Sequence, residues 1–334
     1  MSWKIVGQVR TSCRGNVGDM IDIFYKSFGK ILLSQSIADF SNLKQEDVVW
    51  IDLFSPNGDE KRAAETFLNT EIQSRAQAEE IESSSRFSET DSAIFANTNF
   101  LIPGPEEYSM EAVSFTIVGN ILTTLRDVPL RSFTELQHKI QAVPRLYPNG
   151  YWVFISILDQ RVDLDADMIE LMSKEIAQYS KRVNQEEDIN EDFLLDINQL
   201  QENTMTVREN IWDKQRLISN LMKSDKYPRE LEPRFNVLLQ DINSLINHTN
   251  FSFERLEYLQ DTVVGLINLD QNRLMKIFTL ISLLFMPPTL IASFYGMNVT
   301  LPFEGTTWAW IGLLALMILS IALILYLFKI RKML

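Results

Sequence analysis

The 334-residue chain carries 31 basic and 44 acidic side chains, unevenly placed: residues 1–270 hold 26 of the former and 43 of the latter, a net −17. A body of that sign repels phosphate backbones and gathers cations, which argues against a nucleic-acid partner. One cysteine, Cys13, excludes an internal disulfide framework, and with only His138 and His248 beside it no Cys/His zinc site of the usual spacing can be built.

The N-terminal MSWKIVGQVR holds no apolar run of signal-peptide length, so membrane targeting is expected from later segments. Residues 1–150 mix short strand-like and helical patterns and read as an α/β domain. Val48–Phe54 (VVWIDLF) and Val113–Val118 (VSFTIV) are expected strands, and the second turns at Gly119-Asn120 into Ile121–Arg126 (ILTTLR), a hairpin signal. Glu60–Ile81 has a helical pattern, and Pro129, Pro144 and Pro148 mark breaks.

From Tyr151 Gly and Pro almost vanish, so residues 151–275 are expected to form long helices. Leu231, Phe235, Leu238, Ile242, Leu245, Thr249, Ser252, Leu256, Leu259, Val263 and Leu266 alternate spacings of four and three, the pattern of a coiled-coil-like stalk. With no stop signal before Lys276, the same helix is predicted to continue into the next segment, about 100 Å of helix to Tyr295 at 1.5 Å per residue. The acidic run from Glu186 to Asp192 reads as a solvated turn.

Residues 277–295 (IFTLISLLFMPPTLIASFY) and 308–328 (WAWIGLLALMILSIALILYLF) contain no charged side chain, and each is long enough to cross a bilayer. Arg273 and Lys276 precede the first; Lys329, Arg331 and Lys332 follow the second, in a basic tail at 329–334; the connection 296–307 has no basic residue. The positive-inside rule then puts both termini in the cytoplasm and the connection outside, with Trp308 and Trp310 at the outer interface. Pro287-Pro288 removes two backbone donors in mid-span and is expected to bend the helix.

One face of the first span (276–295) is polar where lipid would favour apolar groups. Asn272, Met275, Thr279, Ser282, Met286, Thr289 and Ser293 recur at three or four residues, with Leu and Ile filling the other faces. Two readings fit: small-residue packing between helices, or a polar pore lining repeated around an axis, narrowed at Met275 and Met286.

At the outer end of this span stands Tyr295-Gly296-Met297-Asn298. Here the sequence resembles the CorA family of magnesium channels, whose signature is this tetrapeptide at the exit of the first of two C-terminal spans. The likeness extends through Gly265–Asn272 (GLINLDQN) and Met286–Ser293 (MPPTLIAS), and more weakly through Phe115–Ile117 (FTI) and Thr124–Arg126 (TLR). It implies a funnel-shaped homopentamer in the inner (cytoplasmic) membrane, with Mg²⁺ as the transported and the regulatory ion and no organic cofactor. Carried over residue by residue, Asn298 forms the selectivity ring with Gly296 and Met297 beside it, and Asn272, Met275, Phe278, Ser282, Met286, Thr289 and Ser293 line the pore. Neutral amide oxygens suit this, since they accept hydrogen bonds from the waters of a Mg²⁺ that dehydrates reluctantly. The resemblance further implies that cytosolic Mg²⁺, held between one subunit's stalk and its neighbour's α/β domain, keeps the pore shut; Asp241 on the stalk and Glu89 and Asp91 on the domain are the acids assigned to it. The sequence departs from the family in its outer loop, where Val299–Gly305 (VTLPFEG) carries a single acid, Glu304, in shifted register. That leaves open a Zn²⁺ transporter of the related ZntB type, with or without proton coupling; a membrane-anchored, non-transporting scaffold is a second alternative. No phosphate-binding glycine loop and no Ser/His or Cys/His set points to an enzyme.

Overall fold

The structure is a computed structural model that describes residues 21–73, 86–104, 108–185, 189–297 and 308–330. The chain divides into two compact units, one comprising residues up to Asn184 with Leu195–Leu259, the other Gln185–Leu194 with Gln260 onward.

In the first unit, strands β1 (Ile21–Ser27), β2 (Lys30–Ser34), β3 (Val48–Phe54), β4 (Phe87–Glu89), β5 (Ala93–Ile102), β6 (Ser109–Val118) and β7 (Ile121–Arg126) form one sheet in the order β2-β1-β3-β7-β6-β5-β4. Only β3 and β7 run parallel, pairing Trp50 with Leu122 and Phe54 with Arg126. Both are central, and accordingly nearly every residue of each is buried. The β6–β7 hairpin turns at Gly119, whose φ of 57° is the positive value that a tight hairpin turn demands.

Helix α1 (Gly58–Leu68) covers one face, its Ala64 and Leu68 packing on Ile23, Ile51 and Leu53. The opposite face is aromatic. Trp50 stacks on Phe24 at 4.8 Å and meets Phe133 of α2 (Arg131–Ala142), while Phe115 meets Phe154 of α3 (Gly150–Asn184) edge-on at 5.1 Å. The expected helix over 60–81 is shorter than its pattern. Asn57 caps its start through a reciprocal bond with Glu60, and Asn69, in the left-handed conformation at φ 54°, ends it. Residues 74–81 of that reading lie outside the described residues.

Helix α3 begins against the β6–β7 turn. Gly150 donates its N–H to the Asn120 carbonyl at 2.7 Å, and a Cβ on Gly150 would stand 2.3 Å from the Leu122 nitrogen. No side chain fits there.

Two buried ionic groups tie the layers together. Asp52 on β3 accepts from Arg126 at 2.8 Å and from Thr124 at 2.7 Å, and Thr124 in turn accepts from the Trp50 indole at 2.9 Å. The residues at 124–126 thus serve the β3–β7 pairing, and removing one ion of such a pair costs roughly 3–5 kcal/mol. Asp165 on α3 pairs with Arg161 at 2.5 Å and with Lys214 of α4 (Glu191–Leu221) at 2.9 Å. Asn210, one turn before Lys214, donates to the Asn99 carbonyl of β5 at 2.7 Å, linking α4 to the sheet. Burial pushes the Lys214 ammonium down to about 8, although Asp165 pulls the other way.

Helix α5 runs unbroken from Glu232 to Tyr295, 64 residues or about 96 Å. Of the predicted seam, Phe235, Leu238, Ile242, Thr249, Ser252, Leu256, Leu259 and Val263 are buried; Leu245 and Leu266 are partly so. The chain's own body supplies part of that cover. Arg234 lies over Trp152 of α3 at 4.9 Å, and Arg208 of α4 lies over Phe253 at 5.0 Å. The coiled-coil-like pattern therefore records, at least in this stretch, packing within one chain.

In the second unit α5 continues from Gln260, and α6 spans Ala309–Ile330. Each contains a stretch long and apolar enough to cross a membrane, and neither stretch is buried by the rest of the chain.

Candidate functional site

From Val264 onward no residue of α5 is buried. The polar stripe lies on this exposed helix. Met275, Phe278 and Met286 are 64 %, 63 % and 63 % exposed, and Asn272, Ser282, Thr289 and Ser293 are exposed too. Side chains of this size left bare on a helix of membrane-spanning length require either lipid or another copy of the chain against them.

The stripe has its own local order. Thr279 donates its hydroxyl to the Met275 carbonyl and Thr289 to the Phe285 carbonyl, each at 2.7 Å. With their protons committed to the helix, both hydroxyls present acceptor lone pairs outward, which is the polarity a hydrated cation reads. Ser282, Met286, Thr289 and Ser293, with Phe285 and Leu290 beside them, line one shallow groove of about 500 Å³. Pro287 and Pro288 sit within this stretch, and the helix continues through them without interruption.

The helix stops at Tyr295. Gly296 still donates to the Ala292 carbonyl at 2.9 Å, and a Cβ there would crowd that oxygen at 3.3 Å; Met297 follows, exposed. Asn298 and Glu304 lie outside the described residues.

The acids assigned to regulation are not gathered in one chain. Among the described residues no group of three His, Cys, Asp or Glu side chains is disposed to hold a metal ion. Glu89 accepts from the Ser224 hydroxyl at 2.6 Å, on the connection between α4 and α5, and Asp91 is exposed. Asp241 on α5 is near enough to the half-buried Asp159 of α3 for its charge to act on it. Burial pushes Asp159 up to about 6; Arg234 opposes the shift, and the charges of Asp163 and Asp241 add to it. Sequence reasoning missed Asp159, because an acid on a long helix reads as solvated; its i, i+4 relation to Asp163 was the available signal.

An acidic α/β body joined by one continuous helix to two exposed apolar spans, the first bearing a polar stripe, is the architecture of a membrane protein with two C-terminal spans. Residues 45–331 match the family described as CorA-like Mg²⁺ transporter protein. A magnesium transport protein CorA from Wolinella succinogenes is 33 % identical over 319 residues, covering 94 % of this chain and 99 % of that one. The chain therefore belongs to the CorA-like Mg²⁺ transporter family. The complete CorA magnesium transporter structure from Methanocaldococcus jannaschii shares the fold at a TM-score of 0.76 and 17 % identity, covering 94 % of this chain and 98 % of that one. The ZntB cytoplasmic domain from Vibrio parahaemolyticus shares it more distantly, at a TM-score of 0.56 and 16 % identity over 76 % of this chain and 99 % of that domain.

Proposed function

We propose that the chain is one subunit of a homopentameric channel that carries Mg²⁺ into the cytoplasm across the inner membrane, with both termini on the cytoplasmic side. The observation that carries this reading is the stripe from Asn272 to Ser293, exposed, grooved from Ser282 to Ser293, and polar along a single face of a helix whose other faces are apolar beyond Lys276. Five such faces around an axis make a column of hydroxyls and thioethers, narrowed at Met275 and Met286, that a hydrated ion can traverse once the rings are wet. Asn298 is the selectivity element at the outer mouth, flanked by Gly296 and Met297, and Glu304 concentrates cations there. The membrane potential drives the ion inward with about 4.6 kcal/mol per divalent charge at 100 mV. Cytosolic Mg²⁺ bound across the subunit interface, by Asp241 of one copy and Glu89 or Asp91 of the next, relieves repulsion between the acidic bodies and favours the closed state.

Flux into liposomes tests the reading. Uptake of Mg²⁺, and of Co²⁺ or Ni²⁺, without a pH gradient is the expected result. Transport of Zn²⁺ alone, or only with a pH gradient, would replace it with the ZntB type of activity; no flux of any ion would leave a scaffold.

A further inference from the structure

The second unit contains a groove that the ion path does not use. Ile189, just before α4, Glu191 at its start, and Leu266, Leu269, Asp270 and Arg273 on α5 are among the residues that enclose an open volume of about 570 Å³. Its level is set by the sequence: Arg273 stands four residues, about 6 Å, before the apolar run begins at Ile277, so the Arg273 end of the groove lies at the depth of lipid headgroups and the Leu266 end extends away from the membrane. Its direction follows from helix geometry. At roughly 100° per residue, Leu266, Leu269, Asp270 and Arg273 fall on the side of α5 opposite the stripe that holds Met275, Thr279 and Met286.

The lining is apolar at Leu266, Leu269 and Ile189, and charged with both signs at its rim, one guanidinium against two carboxylates. An anionic headgroup would meet a net negative rim. A headgroup carrying a phosphate and a primary ammonium satisfies both signs, and the ammonium has three donors with which to bridge Asp270 and Glu191, which a quaternary amine lacks. The order along the helix also agrees. Arg273 is nearer the span than Asp270 by three residues, about 4.5 Å, and in a phospholipid the phosphate is nearer the acyl chains than the amine.

We propose that this groove binds the headgroup of phosphatidylethanolamine, with Arg273 on the phosphate and Asp270 and Glu191 on the ammonium. The bound lipid bridges the start of α4 to α5 at the bilayer surface. This rests on residues 277–295 crossing the membrane and not on which ion is carried.

The full-length assembly, reconstituted in nanodiscs with equal parts phosphatidylethanolamine, phosphatidylcholine and phosphatidylglycerol, is then examined by native mass spectrometry for retained lipid. The wild type is expected to retain the ethanolamine lipid severalfold over the other two. Asp270→Asn with Arg273→Gln is expected to erase that preference at unchanged oligomer size, and Asp261→Asn, outside the groove, to keep it. Glu191→Gln alone, expected to weaken the preference, serves if the double variant does not assemble. Equal retention of the three lipids, or a preference that survives Asp270→Asn with Arg273→Gln or Glu191→Gln, overturns the proposal. So does a carbodiimide cross-link from Asp270 or Glu191 to Lys332 of a neighbouring copy, because the basic tail then fills the groove. Lipid retention is read independently of flux, so loss of either without the other identifies which reading has failed.

Discussion

The two halves of α5 carry the same helical spacing and meet opposite fates. Between Leu231 and Val263 the seam residues sink into the chain's own body; from Val264 to Tyr295 nothing on the helix is buried. A three-four repeat says that a helix has a preferred face, but not what that face touches. In the lower half the cover includes α3 and α4 of the same chain, so its substitutions act on folding. In the upper half cover has to come from lipid, water or another copy, so its substitutions are expected to act on assembly and transport.

The sharpest way to break this contrast is at the outer mouth. Asn298→Ala is expected to abolish Mg²⁺ uptake while expression and oligomer size stay as in the wild type; uptake at the wild-type rate would remove Asn298 from the selectivity role. Next in size is the lower seam. Phe235 is fully buried and meets Tyr227 edge-on at 5.5 Å, so Phe235→Ala should cost about 3–5 kcal/mol in unfolding free energy. Leu290→Ala, on the exposed half, should leave the unfolding of the body within about 0.5 kcal/mol of wild type. Equal losses at the two positions would contradict the contrast.

Met275→Ser and Met286→Ser ask what the upper stripe faces. If it lines a pore, wetting either ring raises leak current in planar bilayers; if neither change raises it, the stripe packs against another helix. The smallest effect concerns the buried Lys214. Its ammonium titrates near 8 in the folded body against an ordinary value of 10.5, so between those values the unfolded chain binds more protons and stability rises with pH. Lys214→Met, which keeps the Arg161–Asp165 pair, should remove that rise. Chemical denaturation from pH 8 to 9.5 compares the slopes, and parallel slopes would place the lysine's titration outside this window.

The sequence was legible where composition decides. Strand β3 was legible with its observed bounds from its apolar run and β7 from the Gly119-Asn120 turn before it, and both spans stand out by the absence of charge. Strand β5 (AIFANTNFLI) was not read, since Asn97, Thr98 and Asn99 interrupt the apolar pattern; the structure buries Asn97 and Thr98 within the sheet. The early end of α1 was written in Asn69, a residue that tolerates the left-handed cap, but a continuing helical pattern concealed it. The ion pairs Asp52–Arg126 and Asp165–Lys214 were beyond reach because partners 74 and 49 positions apart leave no local trace. Of the site, the stripe was visible as a violation of lipid-facing composition. The lipid-level groove was not, because Glu191 and Asp270 each resemble any surface acid until the fold brings them together.

Pro287 and Pro288 carry a consequence for the mechanics of the outer span. Neither can donate an amide hydrogen, so the carbonyls of Leu283 and Leu284 lose their helical partners near mid-bilayer. At roughly 100° per residue both oxygens point to the side away from the stripe. Two missing rungs on one side of a helix make it compliant about an axis at that level. The segment from Thr289 to Met297 can tilt there at low energetic cost without disturbing the turns that hold Met275 and Thr279. The helix segments on either side of Pro287-Pro288 are thus joined by a soft coupling, and each is free to move without carrying the other with it.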